Sequence, residues 1–170
     1  MANPVDLLIQ EHEVITKALN NVLNLKELIQ SDSKKFQTEL NSYIHFFRNY
    51  ADNFHHQKEE RILFVQMNDK QNHLSDGIIK EMYDNHIVFR EMLAEIEKLN
   101  NESKFDDAYI AFEEYYNALL DHIAVEDFEI FQIALSIFSK EELDKLSFQF
   151  DDNDRNLGLD NKKSMEDMVN

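Results

Sequence analysis

Apolar residues recur at three- and four-residue steps through four long stretches of this chain, the spacing of amphipathic α-helices. The first stretch runs from about Pro4 to Gln30. There Val5, Leu8, Ile9, His12, Ile15, Leu19, Val22 and Leu23 share a face, and Pro4 suits a first helical turn. The second runs from about Lys35 to Met67, with Leu40, Tyr43, Ile44, Phe47, Tyr50, Ala51 and Phe54 leading into His55 and His56. Asn68 to Asn72 is polar and Gly77 follows, so a loop is expected there. The third stretch, about Ser75 to Asn100, carries Ile79, Met82, Tyr83, His86, Phe89, Leu93 and Ile96. The fourth, about Phe105 to Phe138, carries Ala108, Phe112, Tyr115, Leu119, His122, Glu126 and Ile133. Ser139-Lys140-Glu141-Glu142 reads as a capping box opening a short final helix to about Phe150. The pattern predicts an all-α protein: an up-down-up-down four-helix bundle over residues 1–150 with a short extra C-terminal helix. Residues 151–170, polar and charged, are expected to be a poorly ordered, flexible tail.

Placing each helix on a wheel of about 100° per residue separates inward from outward polar residues. With His55 at zero, Ile44 and Ile62 fall near about −20°, Ala51 near about −40°, Leu40 near about −60° and Phe47 near about −80°. His55 lies on the edge of that apolar face and Glu59 just beyond it at about +40°. His56 and Glu60 fall at about +100° and about +140°, toward solvent or a neighbouring helix. In the fourth helix, with His122 at zero, Glu126 lies at about +40° between Ile133 and Leu119, inside the apolar face. His12 is in line with Val5, Leu8, Ile15 and Leu19, and His86 with Ile79, Met82 and Leu93. His45 lies opposite the apolar face and His73 in the loop, so both are read as solvated.

All four helices thus carry an inward His, and two add an inward Glu one turn later. A buried carboxylate without a partner is expensive. Isolated core histidines have no reason to distribute in this way, whereas a shared metal site explains it. The imidazole–carboxylate mixture suits iron, manganese or zinc rather than copper(I) or calcium.

Composition narrows the alternatives. The absence of Cys removes disulfides, thiolate metal sites and iron–sulfur clusters. Only 2 Gly and 1 Pro argue against a turn-rich β fold. The net charge of −17 speaks against nucleic-acid binding. No apolar run reaches the roughly 20 residues of a membrane span. The first residues lack the pattern of a signal peptide, so a soluble cytoplasmic protein is expected.

Glu11-His12, Phe54-His55-His56-Gln57-Lys58-Glu59-Glu60, Asn85-His86 with Arg90, and Asp121-His122-Ile123-Ala124-Val125-Glu126-Asp127 together resemble the hemerythrin-like, or HHE cation-binding, family over about residues 5–138. The resemblance implies a bundle enclosing two Fe ions as an oxo- or hydroxo-bridged di-iron centre. Carried onto this chain, Glu59 and Glu126 are the bridging carboxylates, and His12, His55, His86 and His122 are terminal ligands. The chain departs from the oxygen-carrying hemerythrins in the third helix. They place two His there at i and i+4; here Met82 and Arg90 flank His86 alone. Some members of the wider family take two adjacent ligands from the second helix, which makes His56 the expected substitute. Ferritin-like di-iron proteins need Glu-x-x-His on two helices, and no His here has Glu three residues before it.

The expected function is binding of dioxygen or nitric oxide for sensing, storage or carriage. The alternatives are a di-iron oxidase, peroxidase or nitric-oxide-related enzyme at the same site, or an iron-handling protein. Tyr43, Tyr50, Tyr83, Tyr115 and Tyr116 lie near the faces that line the bundle. A phenol near the metals would favour oxidation; packing with the hydroxyl at the rim is its plainer role. No protein partner is indicated.

Overall fold

The computed structural model describes residues 3–71, 74 and 77–170. Among these there are seven helices and no strand. Helix α1 is Pro4–Leu23, and α2 is the single turn Leu28–Ser31. Helix α3 spans residues 33–70 and α4 is Ile78–Asn101. Helix α5 spans 105–137, followed by α6 at Lys140–Leu157 and α7 at Leu159–Val169. None of the helices described is long and apolar enough to cross a membrane.

Contacts between side chains and backbone give the topology. The start of α3 meets the end of α4 where Asn100 Nδ2 donates to the Gln37 carbonyl at 3.0 Å. The far end of the same pair meets where the Tyr83 hydroxyl donates to the Glu60 carbonyl at 2.6 Å. These two helices are therefore antiparallel. So are α1 and α5, joined by Tyr109 to the Leu23 carbonyl at 3.1 Å and Tyr116 to Asn20 at 3.2 Å. The result is the expected bundle of four long helices. Its first helix stops at Leu23 rather than near Gln30, with Asn24 as its C-cap. The second continues to Lys70, through part of the expected loop. A start of the third at Ser75 lies outside the described residues, as does His73.

Two helices are locally widened. In α3, Phe47–His56 and Glu59–Leu63 are π-helical, and in α5, Glu126–Ile130 is. Each ends in an i→i+5 bond: the N–H of Gln57 to the Asp52 carbonyl, of Phe64 to that of Glu59, and of Phe131 to that of Glu126. Such segments are rare and concentrate at functional sites.

The apolar core is in two parts. One cluster gathers Ile15, Leu19, Phe47, Phe89, Phe112 and Tyr115 with their neighbours. The other gathers Leu8, Phe64, Met82, Phe131, Leu146 and Phe150 with theirs. On α1, α3 and α4 the inward histidines and glutamates lie between the two clusters in sequence position, and on α5 His122 and Glu126 fall where one cluster gives way to the other.

Residues 151–170, expected to be a poorly ordered tail, are helical and packed. The capping box at Ser139 and Glu142 forms with both of its bonds. Helix α6 then continues past Phe150 to Leu157. Gly158 turns the chain with φ of 100°, a conformation that favours glycine, and α7 folds back. Lys162, Met165 and Val169 are buried. The Tyr50 hydroxyl donates to Glu166 at 2.8 Å, and Asn21 donates to the Val169 carbonyl at 3.2 Å. The composition misleads because Asp154, Lys162 and Glu166 pair with polar groups of the other helices, while most of the remaining polar residues face water.

Candidate metal centre

Seven ionisable side chains meet in the middle layer: His12 from α1; His55, His56 and Glu59 from α3; His86 from α4; His122 and Glu126 from α5. All are exposed by 3% or less. They divide into two groups whose potential ligand atoms lie within 4.8 Å of one another. One group is His12, His55, Glu59 and Glu126; the other is His56, His86 and His122.

The two carboxylates span both groups. Glu59 places Oε1 at 3.4 Å from Nε2 of His55, and Oε2 at 3.6 Å from Nε2 of His86. Glu126 places Oε2 at 3.2 Å from Nε2 of His12, and Oε1 at 3.1 Å from Nε2 of His122. The four carboxylate oxygens have no hydrogen-bond partner among the described residues, nor do Nε2 of His12 and of His55, although they lie this close together. Polar atoms buried without partners cost free energy unless something else satisfies them. A cation accepting lone pairs from all of them would do so. The donor set of imidazole and carboxylate fits a divalent transition metal.

The outer ring nitrogens are engaged too. Nδ1 of His12 meets Asp127 at 2.8 Å, and Nδ1 of His55 meets Glu11 at 3.0 Å. Nδ1 of His86 meets Glu60 at 2.8 Å, and Nδ1 of His56 lies 3.4 Å from Asp52. The Asn85 amide lies 3.4 Å from Nδ1 of His122. An imidazole held this way has its orientation fixed, and when Nδ1 keeps its proton the lone pair of Nε2 is free for a metal. Arg90 braces two of these supports, Asp52 at 2.8 Å and Glu60 at 2.7 Å.

Electrostatics inside the layer follow from the mixture of charges. Burial opposes charge on His12, but Asp127, Glu126 and Glu59 overcome it and push its pKa up to about 10. His86 is raised to about 9 in the same way, against burial, by Glu126, Glu60 and Glu59. Burial would raise Glu126, yet His122, His12 and His86 hold it well below the carboxylate range. His56 is held well below its ordinary value, by burial first and then by the neighbouring imidazole His86. The carboxylates thus favour protons on His12 and His86 where no cation is bound, and a cation taking the same atoms displaces them.

A match to the hemerythrin HHE cation-binding domain covers residues 3–134 of the chain. The chain belongs to this family. No curated protein and no solved structure matches it significantly.

The HHE domain here differs from a helix-wheel expectation at His56. The wheel sends it to the flank, but the structure buries it, its ring stacked on His86 with centroids 3.8 Å apart. The π-helical segment is the reason. Bonds closed at i→i+5 put more residues into each turn, so a step of about 100° per residue overshoots. His55 and His56 can then both face the layer. Beside His86, Met82 sits in the apolar core and Arg90 pairs with acidic groups, and His56 is the third imidazole grouped with His86 and His122. Glu60 stands behind His86, outside the inner layer. His45 is exposed.

Sequence reasoning assigned no role to Glu11, Asp52, Asp127 or Asn85, which orient the imidazoles, nor to Lys58, which is fully buried. A signal for Lys58 existed: on the same wheel it falls at about −60°, in the centre of the apolar face. The other four are polar side chains one to five residues from a histidine and carry no pattern of their own.

Proposed function

We propose that this HHE domain is a non-haem di-iron protein that binds dioxygen, or nitric oxide, for storage, carriage or sensing. The observation that carries the reading is that Glu59 and Glu126 each direct one oxygen toward each cluster. That arrangement suits two cations side by side, with both carboxylates shared. His12 and His55 would complete one position, and His56, His86 and His122 the other. Iron fits an imidazole and carboxylate set with no thiolate. A pair of ferrous ions, when bound, supplies the two electrons that reversible dioxygen binding draws on.

The chain's part is to keep the site dry and poor in protons. Phe131 stacks on His12 at 5.6 Å, and Phe89 meets His122 edge-on at 5.0 Å. Three tyrosine hydroxyls are engaged by other groups: Tyr50 by Glu166, Tyr83 by the Glu60 carbonyl and Tyr116 by Asn20. This favours binding over oxidation chemistry. Two surface clefts reach the layer from opposite groups. One, of about 420 Å³, ends on His12 and Asp127; the other, of about 240 Å³, ends on His122 and Asn85.

The reading is tested by loading the protein with iron(II) without oxygen, then cycling between oxygen and argon while recording absorption. The expected result is a spectral change that reverses over repeated cycles with iron retained. A single irreversible change that consumes oxygen would support the oxidase reading, and loss of iron during cycling would support iron handling.

A further inference from the structure

Behind His55 lies a closed ring of four buried charges. Glu11, 2% exposed, takes the His55 Nδ1 contact on Oε2 and the ammonium groups of Lys58 and Lys162 on Oε1, both at 2.5 Å. Both lysines also reach Asp154, Lys58 at 2.7 Å to Oδ1 and Lys162 at 2.6 Å to Oδ2. Lys58 is 0%, Asp154 5% and Lys162 8% exposed. The four residues come from α1, α3, α6 and α7, and the last two helices lie outside the matched residues 3–134.

Such a ring is poor evidence for stability, since buried ion pairs often do no better than apolar packing of the same volume. Its geometry points to another role. The imidazoles of His12, His56, His86 and His122 are supported by Asp127, Asp52, Glu60 and Asn85, all on the four long helices. The support of His55 is itself held by side chains of the C-terminal pair. We propose that Asp154 and Lys162 are positioning residues for His55, acting through Glu11. Docking of α6 and α7 and cation capture by His12, His55, Glu59 and Glu126 then favour one another, as linked equilibria must. The inference rests on the metal-site reading above and adds a control element to it.

The test uses the full chain with cobalt(II) as probe, titrated anaerobically and followed by absorption and metal count, together with hydrogen exchange of residues 159–169. Wild type is expected to take two cobalt ions. K162M is expected to keep one at wild-type affinity and to bind the other roughly 10–100-fold more weakly, the usual effect of losing an outer support. D154N should behave alike. F112A, a core change away from the ring, is expected to leave the ratio of the two affinities unaltered. Cobalt should also slow exchange across 159–169 in wild type, a readout that does not depend on any variant folding. Unchanged exchange there, or K162M weakening both ions equally or neither, would overturn the proposal while leaving the metal site standing. Wild type that takes up no cobalt would remove the metal-site reading and this proposal together.

Discussion

Replacing Glu126 with Ala is expected to leave the chain unable to retain at least one of the two metals proposed for it. Glu126 has one oxygen beside His12 and the other beside His122, so its loss removes a donor from both positions. It also leaves His12 and His86 without a carboxylate that favours their charged forms. Loss of outer supports commonly costs about 10–100-fold in metal affinity; loss of a shared donor should exceed about 100-fold. E59A should act in the same way. E60A should do much less, because Glu60 touches Nδ1 of His86 from behind and is not in the inner layer. Metal analysis after dialysis, with helicity checked by circular dichroism, measures all three. E60A losing metal while E59A and E126A keep it would show the shared pair to be wrongly assigned.

The second large effect is on stability. A cation that binds only the folded chain stabilises it by mass action, by about 4 kcal/mol when free metal is about a thousand times Kd. In a protein of this length each kcal/mol moves Tm by roughly 2–4 °C, so one filled position should raise Tm by roughly 8–16 °C. The gain should be large because seven ionisable groups are buried in one layer and six of their atoms lack hydrogen-bond partners among the described residues. Calorimetry of the apo and iron(II) forms gives the comparison. Equal melting temperatures with occupancy confirmed would mean that the unfolded chain binds the metals as well as the folded one, contrary to a site assembled by the bundle.

The bundle and most of its inward residues were legible in the sequence because both depend on periodicity. His12, His86 and His122 lie on α-helical faces, where spacing maps directly onto direction, and Glu126 follows His122 by one turn at the start of a π-helical segment. His56 was not placed by the same method because the helix around it is π-helical, and widening depends on contacts between helices that one segment's pattern does not contain. It entered the expected set through a family resemblance and a shortage of donors in the third helix. The C-terminal helices were lost for a related reason. Asp154, Lys162 and Glu166 read as solvent-facing until Glu11, Lys58 and Tyr50, more than 90 residues away, are brought beside them. Hydrophobic pattern finds surfaces that pack by excluding water; it does not find surfaces that pack by pairing charge.

The most direct test of the central claim is the number and position of metals in crystals of the iron-loaded chain, read from anomalous scattering at the iron edge. The account predicts two iron positions per chain, one among His12, His55, Glu59 and Glu126 and one among His56, His86 and His122, with Glu59 and Glu126 touching both. A single iron position, or iron bound outside this layer, would contradict it.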